Sequence, residues 1–155
     1  MSNLEEVNLA WTEMKGYITE DLKALTKLKY INLSHNELNS EFPDFEEWKD
    51  FVDLEIIEIS HNDLFGEIPS NWAYLPSLVY INAANNMFIE DYQPLPLFNS
   101  SVRLEGIDLS NNNLKTFPYA YFEPDTFRRL EFVNINGNPQ LKMPEVCVRS
   151  YFCFK

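Results

Sequence analysis

The chain has 155 residues, 45% of them hydrophobic and 15% aromatic, which is enough for one domain with a continuous core and too apolar for a disordered chain. Its 24 acids against 12 bases leave a formal net charge of -12, so nucleic acid and anionic membrane are poor partners, since both need Lys and Arg to neutralise phosphate. No apolar run reaches the roughly 18 residues of a membrane helix, and the opening Met1-Ser2-Asn3-Leu4-Glu5-Glu6 has neither the basic nor the apolar section of a signal peptide.

In chain order, the first element is LEEVNLAWTEM, starting at Leu4. Val7 and Leu9 alternate there with polar neighbours, which places both on one face of a short strand. Ile18-Thr19 follows, then Leu22 and Leu25, whose spacing of three fits a helical or 3₁₀ turn. The same order returns from Leu28 as LKYINLSHNEL, with Phe42-Pro43 and then Trp48 and Phe51 behind it. It returns from Leu54 as LEIIEISHNDL, with Ile68-Pro69, Trp72 and Leu75. The fourth copy, LVYINAANNMF from Leu78, is irregular: Ala83 replaces a leucine, and Pro94-Leu95-Pro96-Leu97 follows. Segment 89–103 therefore reads as a looser excursion with Asn99-Ser100-Ser101 at its tip, either a tolerated surface insertion or a contact loop. LEGIDLSNNNL from Leu104, with Phe117-Pro118 and Phe127, and LEFVNINGNPQ from Leu130, with Leu141 and Met143-Pro144, complete the series. The remaining EVCVRSYFCFK reads as a cap over the last unit at 144–155, or as the start of a further unit.

Six copies thus begin at about residues 4, 28, 54, 78, 104 and 130, each spelling L-x-x-L-x-L-x-x-N-x-L. The ninth place holds Asn36, Asn62, Asn86, Asn112 and Asn138, with Thr12 in the first copy. An amide carries donors and acceptors, so it can satisfy backbone groups that the turn off the strand would otherwise strand in the interior. One strand per unit, each followed by a return of a dozen or so residues, requires parallel pairing. Period and pattern over residues 4–143 resemble the leucine-rich repeat family. FGEIPSNWAYLPSL (Phe65 to Leu78) is similar to its receptor-type, or plant-type, subclass, known also from bacterial surface proteins. The resemblance implies an α/β solenoid over 1–155 as a single domain. A parallel sheet would line the concave face, with short helices, 3₁₀ turns and extended segments on the convex face. Cys147 and Cys153, the two cysteines, resemble the disulfide cap of secreted members; two buried thiols are the alternative, and two cysteines are too few for a structural zinc site.

The strand positions pointing away from the core form columns. The third place reads Glu6, Tyr30, Ile56, Tyr80, Gly106 and Phe132; the fifth reads Asn8, Asn32, Glu58, Asn82, Asp108 and Asn134; the eighth reads Trp11, His35, His61, Asn85, Asn111 and Gly137. An apolar-aromatic stripe would then lie beside an amide-carboxylate stripe on the inner curve. As a ligand-binding strip, Tyr30, Ile56, Tyr80 and Phe132 supply apolar contact, while Asn32, Glu58, Asn82, Asp108 and Asn134 orient the ligand. The competing reading is that these side chains merely pack on one another across strands. Six strands span only about 24 Å, roughly 300 Å² of flat area against the ~800 Å² per partner of a standard interface. Loops, a short peptide or sugar ligand, or further repeats would resolve this, and further repeats are favoured. The first copy opens without a cap, which suggests a mature or excised piece of a longer protein.

His35 and His61, the two histidines, share one column; exposed variable turn positions explain them more simply than a metal site or a pH switch. Asn99-Ser100-Ser101 and Asn32-Leu33-Ser34 spell glycosylation acceptors, of which only the first falls in a loop. No nucleophile is paired with a base, and four glycines build no phosphate loop, so catalysis and a cofactor are not expected. The expected function is recognition of a protein or peptide ligand on the concave face, extracellular or at the cell surface. A carbohydrate-binding surface is the first alternative, and a structural or targeting spacer of a longer receptor or enzyme is the second.

Overall fold

Each repeat commits three residues to strand, and the centre of each triplet is an aliphatic side chain facing inward. The computed structural model of the chain describes residues 3–90, 98, 100–118 and 128–142. Strands β1 (Glu6–Asn8), β3 (Tyr30–Asn32), β5 (Ile56–Glu58), β7 (Tyr80–Asn82), β9 (Gly106–Asp108) and β10 (Phe132–Asn134) form one parallel sheet in the order β1-β3-β5-β7-β9-β10. Register pairs like places: Tyr30 lies opposite Ile56, Ile56 opposite Tyr80, Tyr80 opposite Gly106, and Gly106 opposite Phe132. Ile31, Ile57, Ile81, Ile107 and Val133 are buried, with Leu28, Leu54, Leu78, Leu104 and Leu130 above them. The first copy packs on one neighbour alone, and Leu4 and Leu9 stay 41% and 39% exposed. The architecture is the parallel-sheet solenoid that the repeat implies, with 3₁₀ turns and no long helix among the described residues.

Those turns are Glu20–Ala24, Glu46–Asp50 and Ser70–Tyr74. The spacing of three closes each one: the N–H groups of Leu25, Phe51 and Leu75 donate to the carbonyls of Leu22, Trp48 and Trp72 at 2.9, 3.1 and 3.1 Å. Positions three apart eclipse in a 3₁₀ turn, so Trp48 and Phe51 both reach the core, with ring centroids 4.9 Å apart. Phe45 stacks on Trp48 at 4.6 Å, and Trp48 meets Trp72 of the next unit edge-on at 5.9 Å. Asp44 reaches forward and accepts from Ser70 N, Ser70 Oγ and Asn71 N at 3.0, 2.9 and 3.2 Å, which fixes the start of the next turn.

Two further ladders were not legible in the sequence. β2 (Lys15–Gly16) pairs parallel with β4 (Glu37–Leu38), and β6 (Phe65–Glu67) pairs parallel with β8 (Met87–Ile89). Strands of two or three residues are too short for an alternation of period two to register, and their pairing follows from stacking of the coils.

The ninth-place amides join the coils. Asn86 Nδ2 donates to Ile59 O of the preceding repeat at 3.0 Å and to Ala83 O of its own at 3.2 Å, while its Oδ1 accepts from Leu64 N at 3.0 Å. Asn62 and Asn112 make the same bonds one repeat earlier and later, and Asn138 repeats them on Leu109, Ile135 and Leu114. Asn36 does so at the first junction, accepting from Met14 N at 2.9 Å. Thr12 stands in at the ninth place, its hydroxyl donating to Leu9 O at 2.7 Å. Segment 94–97, Asn99, Phe127, Met143-Pro144, the 144–155 cap, Cys147 and Cys153 lie outside the described residues.

Among the described residues one buried side-chain polar atom has no hydrogen-bond partner. Trp48 Nε1 donates to Pro43 O at 3.0 Å, but Trp72 Nε1 is buried and unpaired. The segment from Pro69 to Trp72 is two residues shorter than that from Pro43 to Trp48, so the matching carbonyl is out of reach. Asn86→Ala leaves the Leu64 N–H unpaired and takes one of two amide donors from each of the Ile59 and Ala83 carbonyls, and should cost about 1–3 kcal/mol in urea unfolding. Trp48→Phe should be more destabilising than Trp72→Phe by about 1 kcal/mol, because only the former breaks a bond; equal losses in the same assay would contradict this.

Candidate functional site

On the face opposite the core, Tyr30, Ile56 and Tyr80 are half-buried and Phe132 is 43% exposed. The stripe has a notch. Gly106 is buried under the Tyr80 ring, and a β-carbon at this position would lie 2.6 Å from Tyr80 Cδ2. Glycine here lets the ring lie flat toward Phe132. Burial, then the nearby Asp108 and Glu58 carboxylates, push the Tyr80 phenol above its ordinary value, so it stays a neutral donor.

The fifth-place column caps its own turns. Oδ1 of Asn8, Asn32, Asn82, Asp108 and Asn134 accepts from the backbone N–H two residues on, at 2.9–3.2 Å. Glu58 instead accepts from Ser60 Oγ at 2.7 Å. Sideways, Asn82 Nδ2 donates to Glu58 and Asn134 Nδ2 to Asp108, both at 3.1 Å, and Asn32 Nδ2 donates to the Tyr30 hydroxyl at 2.8 Å. Every residue named for orienting a ligand is therefore half committed to the strand end, and thereby held still.

The eighth-place column is a built ladder rather than a row of free turn positions. Trp11, His35, His61, Asn85 and Asn111 all take left-handed φ, between 53° and 60°, and Gly137 follows at 73°. Asparagine and glycine tolerate that conformation, but a bulky aromatic there is uncommon. Trp11 stacks on His35 with centroids 3.8 Å apart, and His35 on His61 at 4.2 Å, both nearly parallel. Asn85 Nδ2 lies 3.3 Å from His61 Nε2, and Asn111 Nδ2 donates to Asn85 Oδ1 at 3.1 Å. Stacked imidazoles do not converge on a metal ion, and among the described residues no three His, Cys, Asp or Glu side chains gather. Burial, then the neighbouring His61, hold His35 below the ordinary value of 6.5, with Glu58 opposing.

Between this ladder and the aromatic stripe lies an open depression of about 520 Å³, lined by Trp11, Tyr30, Asn32, His35, Glu58, His61 and Asn82 with Ala10, Ser34 and Ser60. It brings together four of the named ligand-binding residues, Tyr30, Asn32, Glu58 and Asn82; Ile56 and Tyr80 adjoin it by register, while Asp108, Phe132 and Asn134 sit farther along the sheet. Trp11 and the two serines were missed, although a tryptophan in a column of His and Asn was a visible anomaly. The site is polar, concave and lined with oriented hydrogen-bonding groups, an arrangement suited to holding a ligand.

The family model described as Leucine Rich Repeat matches residues 27–47 and 53–75. No curated protein matches the chain. Among solved structures, Pollen Receptor Kinase 3 is 26% identical at a TM-score of 0.76, over 96% of this chain and 68% of that one. The Arabidopsis receptor kinase HAESA, solved with the peptide hormone IDA and the co-receptor SERK1, is 30% identical at 0.73, over 99% of this chain and 24% of that one. A Leptospira interrogans leucine-rich repeat protein shares the fold at 0.72 and 24% identity, over 89% of this chain and 32% of that one. The chain spans 17%, 22% and 18% of the length of three further solved structures that it matches.

No helix among the described residues is long and apolar enough to cross a membrane. Because the native state disfavours the His35 proton, the unfolded chain binds more protons just below its own pKa; this contribution to stability is fully present above about 6.5 and is lost as pH falls below that and through the lower folded value. NMR titration should place His35 below the ordinary imidazole value, and His61→Ala should move it up; a His35 value indifferent to His61 would refute the coupling.

Proposed function

We propose that this chain, a leucine-rich repeat solenoid of the receptor type, is a non-catalytic recognition module that binds protein or peptide through its concave face. The observation that carries the reading is the depression between the Tyr30-Ile56-Tyr80 stripe and the Trp11-His35-His61 ladder. Half-buried aromatics supply apolar area at low entropic cost, and the fifth-column groups present pre-set acceptors. Tyr30, Ile56, Tyr80 and Phe132 make the apolar contacts; Asn32, Glu58, Asn82, Asp108 and Asn134 orient the ligand. The structures of HAESA with a peptide hormone and of other receptor ectodomains support a peptide-binding role in an extracellular or cell-surface setting. Asn36, Asn62, Asn86, Asn112 and Asn138 serve the frame rather than the ligand.

Binding to peptides selected from a display library should fall at least about ten-fold in the Tyr30→Ala/Tyr80→Ala double variant, with the unfolding midpoint little changed. Unchanged affinity would reject the concave face, and a glycan array giving the only binders would transfer the reading to carbohydrate.

A further inference from the structure

Several acids outside the three columns meet cations: Lys15 with Glu37 at 2.9 Å, Lys29 with Glu5 at 2.7 Å, Arg103 with Glu55 at 3.1 Å, and Lys23 with Glu20 at 3.3 Å. Others, such as Glu46 and Asp50, are exposed to solvent without an ion pair among the described residues. Glu58 and Asp108 on the concave face meet no cation among the described residues. Glu58 accepts only from Ser60 Oγ and Asn82 Nδ2, and Asp108 from Ser110 N, Ser110 Oγ and Asn134 Nδ2. These neutral donors aim each carboxylate and leave its charge standing. Neither the third, fifth nor eighth column contains Lys or Arg, and His35 is held toward its neutral form. The two carboxylates sit two strands apart in register, about 9.6 Å at the usual strand spacing, with Tyr80 on the strand between them.

We infer that the concave face takes an extended peptide bearing two basic side chains about three residues apart, one docked at Glu58 and the other at Asp108, with the Tyr80 ring packed between them. This rests on the concave-face reading above and adds the chemistry of the ligand. In the polyproline II form of an extended chain, with three residues per turn and a rise of about 3.1 Å, side chains three apart share one face and lie about 9.3 Å apart, close to the ~9.6 Å between the carboxylates. The stems of Lys or Arg lie on aromatic faces while their heads reach an acid. A carboxylate already aligned by two or three donors loses little freedom on receiving a guanidinium, which favours a charge-assisted pair over a diffuse acidic attraction.

The test is selection of random heptapeptides displayed on phage, followed by anisotropy titration of the selected peptides at about physiological salt. Arg or Lys pairs at this spacing should be enriched, and replacing either basic residue by citrulline or glutamine should weaken binding about ten-fold. Glu58→Gln and Asp108→Asn keep the shape and one acceptor oxygen each, which for Asp108→Asn is the oxygen that caps the turn; each should weaken binding several-fold, whereas Glu46→Gln on the outer turn should not. Binders without basic pairs, or binders equally sensitive to Glu46 and Glu58, overturn the inference, as does a selection that yields none. If such binders still require Tyr30 and Tyr80, the concave-face reading survives; if they do not, both fall.

Discussion

The bond on which the rest depends is the one that the ninth-place amide makes across two coils. An asparagine there donates to a carbonyl in its own repeat and to one in the repeat before, while accepting an N–H from that earlier repeat. All three partners are backbone groups at the coil junction; losing the amide strands the N–H and leaves each carbonyl with one amide donor, from Asn62 or Asn112. The arrangement forbids a sliding register: a one-residue slip of a coil would leave the amide facing side chains. It also makes stability a property of junctions, because a single coil has nothing across from its asparagine. Thr12 supplies one of these bonds from its hydroxyl, with a shorter reach and one donor fewer.

Fixed register turns each place of the repeat into a column, and the columns do the chemistry. Strands lie about 4.8 Å apart, somewhat more than the separation between two stacked rings. Trp11, His35 and His61 close that difference to 3.8 and 4.2 Å by leaning together, and Asn85 and Asn111 continue the ladder with amides where no ring is present. The left-handed turn imposes the backbone at this place in every repeat, so Asn and Gly fit it at low cost and Trp11 does not. Its ring gains a stacking partner and a wall of the depression for that strain.

The sequence displayed the period, the aliphatic strand centres, the asparagines and the spacing of three in the return segments, because each repeats at a fixed offset and needs no knowledge of its neighbour. It hid features that arise only between coils. The short ladders β2–β4 and β6–β8 have no pattern of their own. The Gly106 notch appears as a gap in the third column until Tyr80 is seen lying in it. The fifth column read as free amides and acids, whereas each member spends an oxygen on its own turn; the alternation announced their direction but not their commitments. His35 and His61 read as variable turn positions for the same reason, since stacking is a relation between rungs.

Those commitments bear on recognition. A free glutamate on a surface samples many rotamers and is screened, which is why the rim pairs at Lys15, Lys23 and Lys29 contribute little. Glu58 and Asp108 are half-buried, aimed by neutral donors, and flank a phenol whose proton they help retain. They add two oriented charges on the floor of the sheet to a net charge of -12 that is otherwise spread over the chain. A strip only three residues wide cannot bury a globular surface, but it can pair with a single extended chain along its whole length. Width, charge and ring placement all favour a ligand that is narrow and lies across the strands, with its side chains spaced by the strands beneath them.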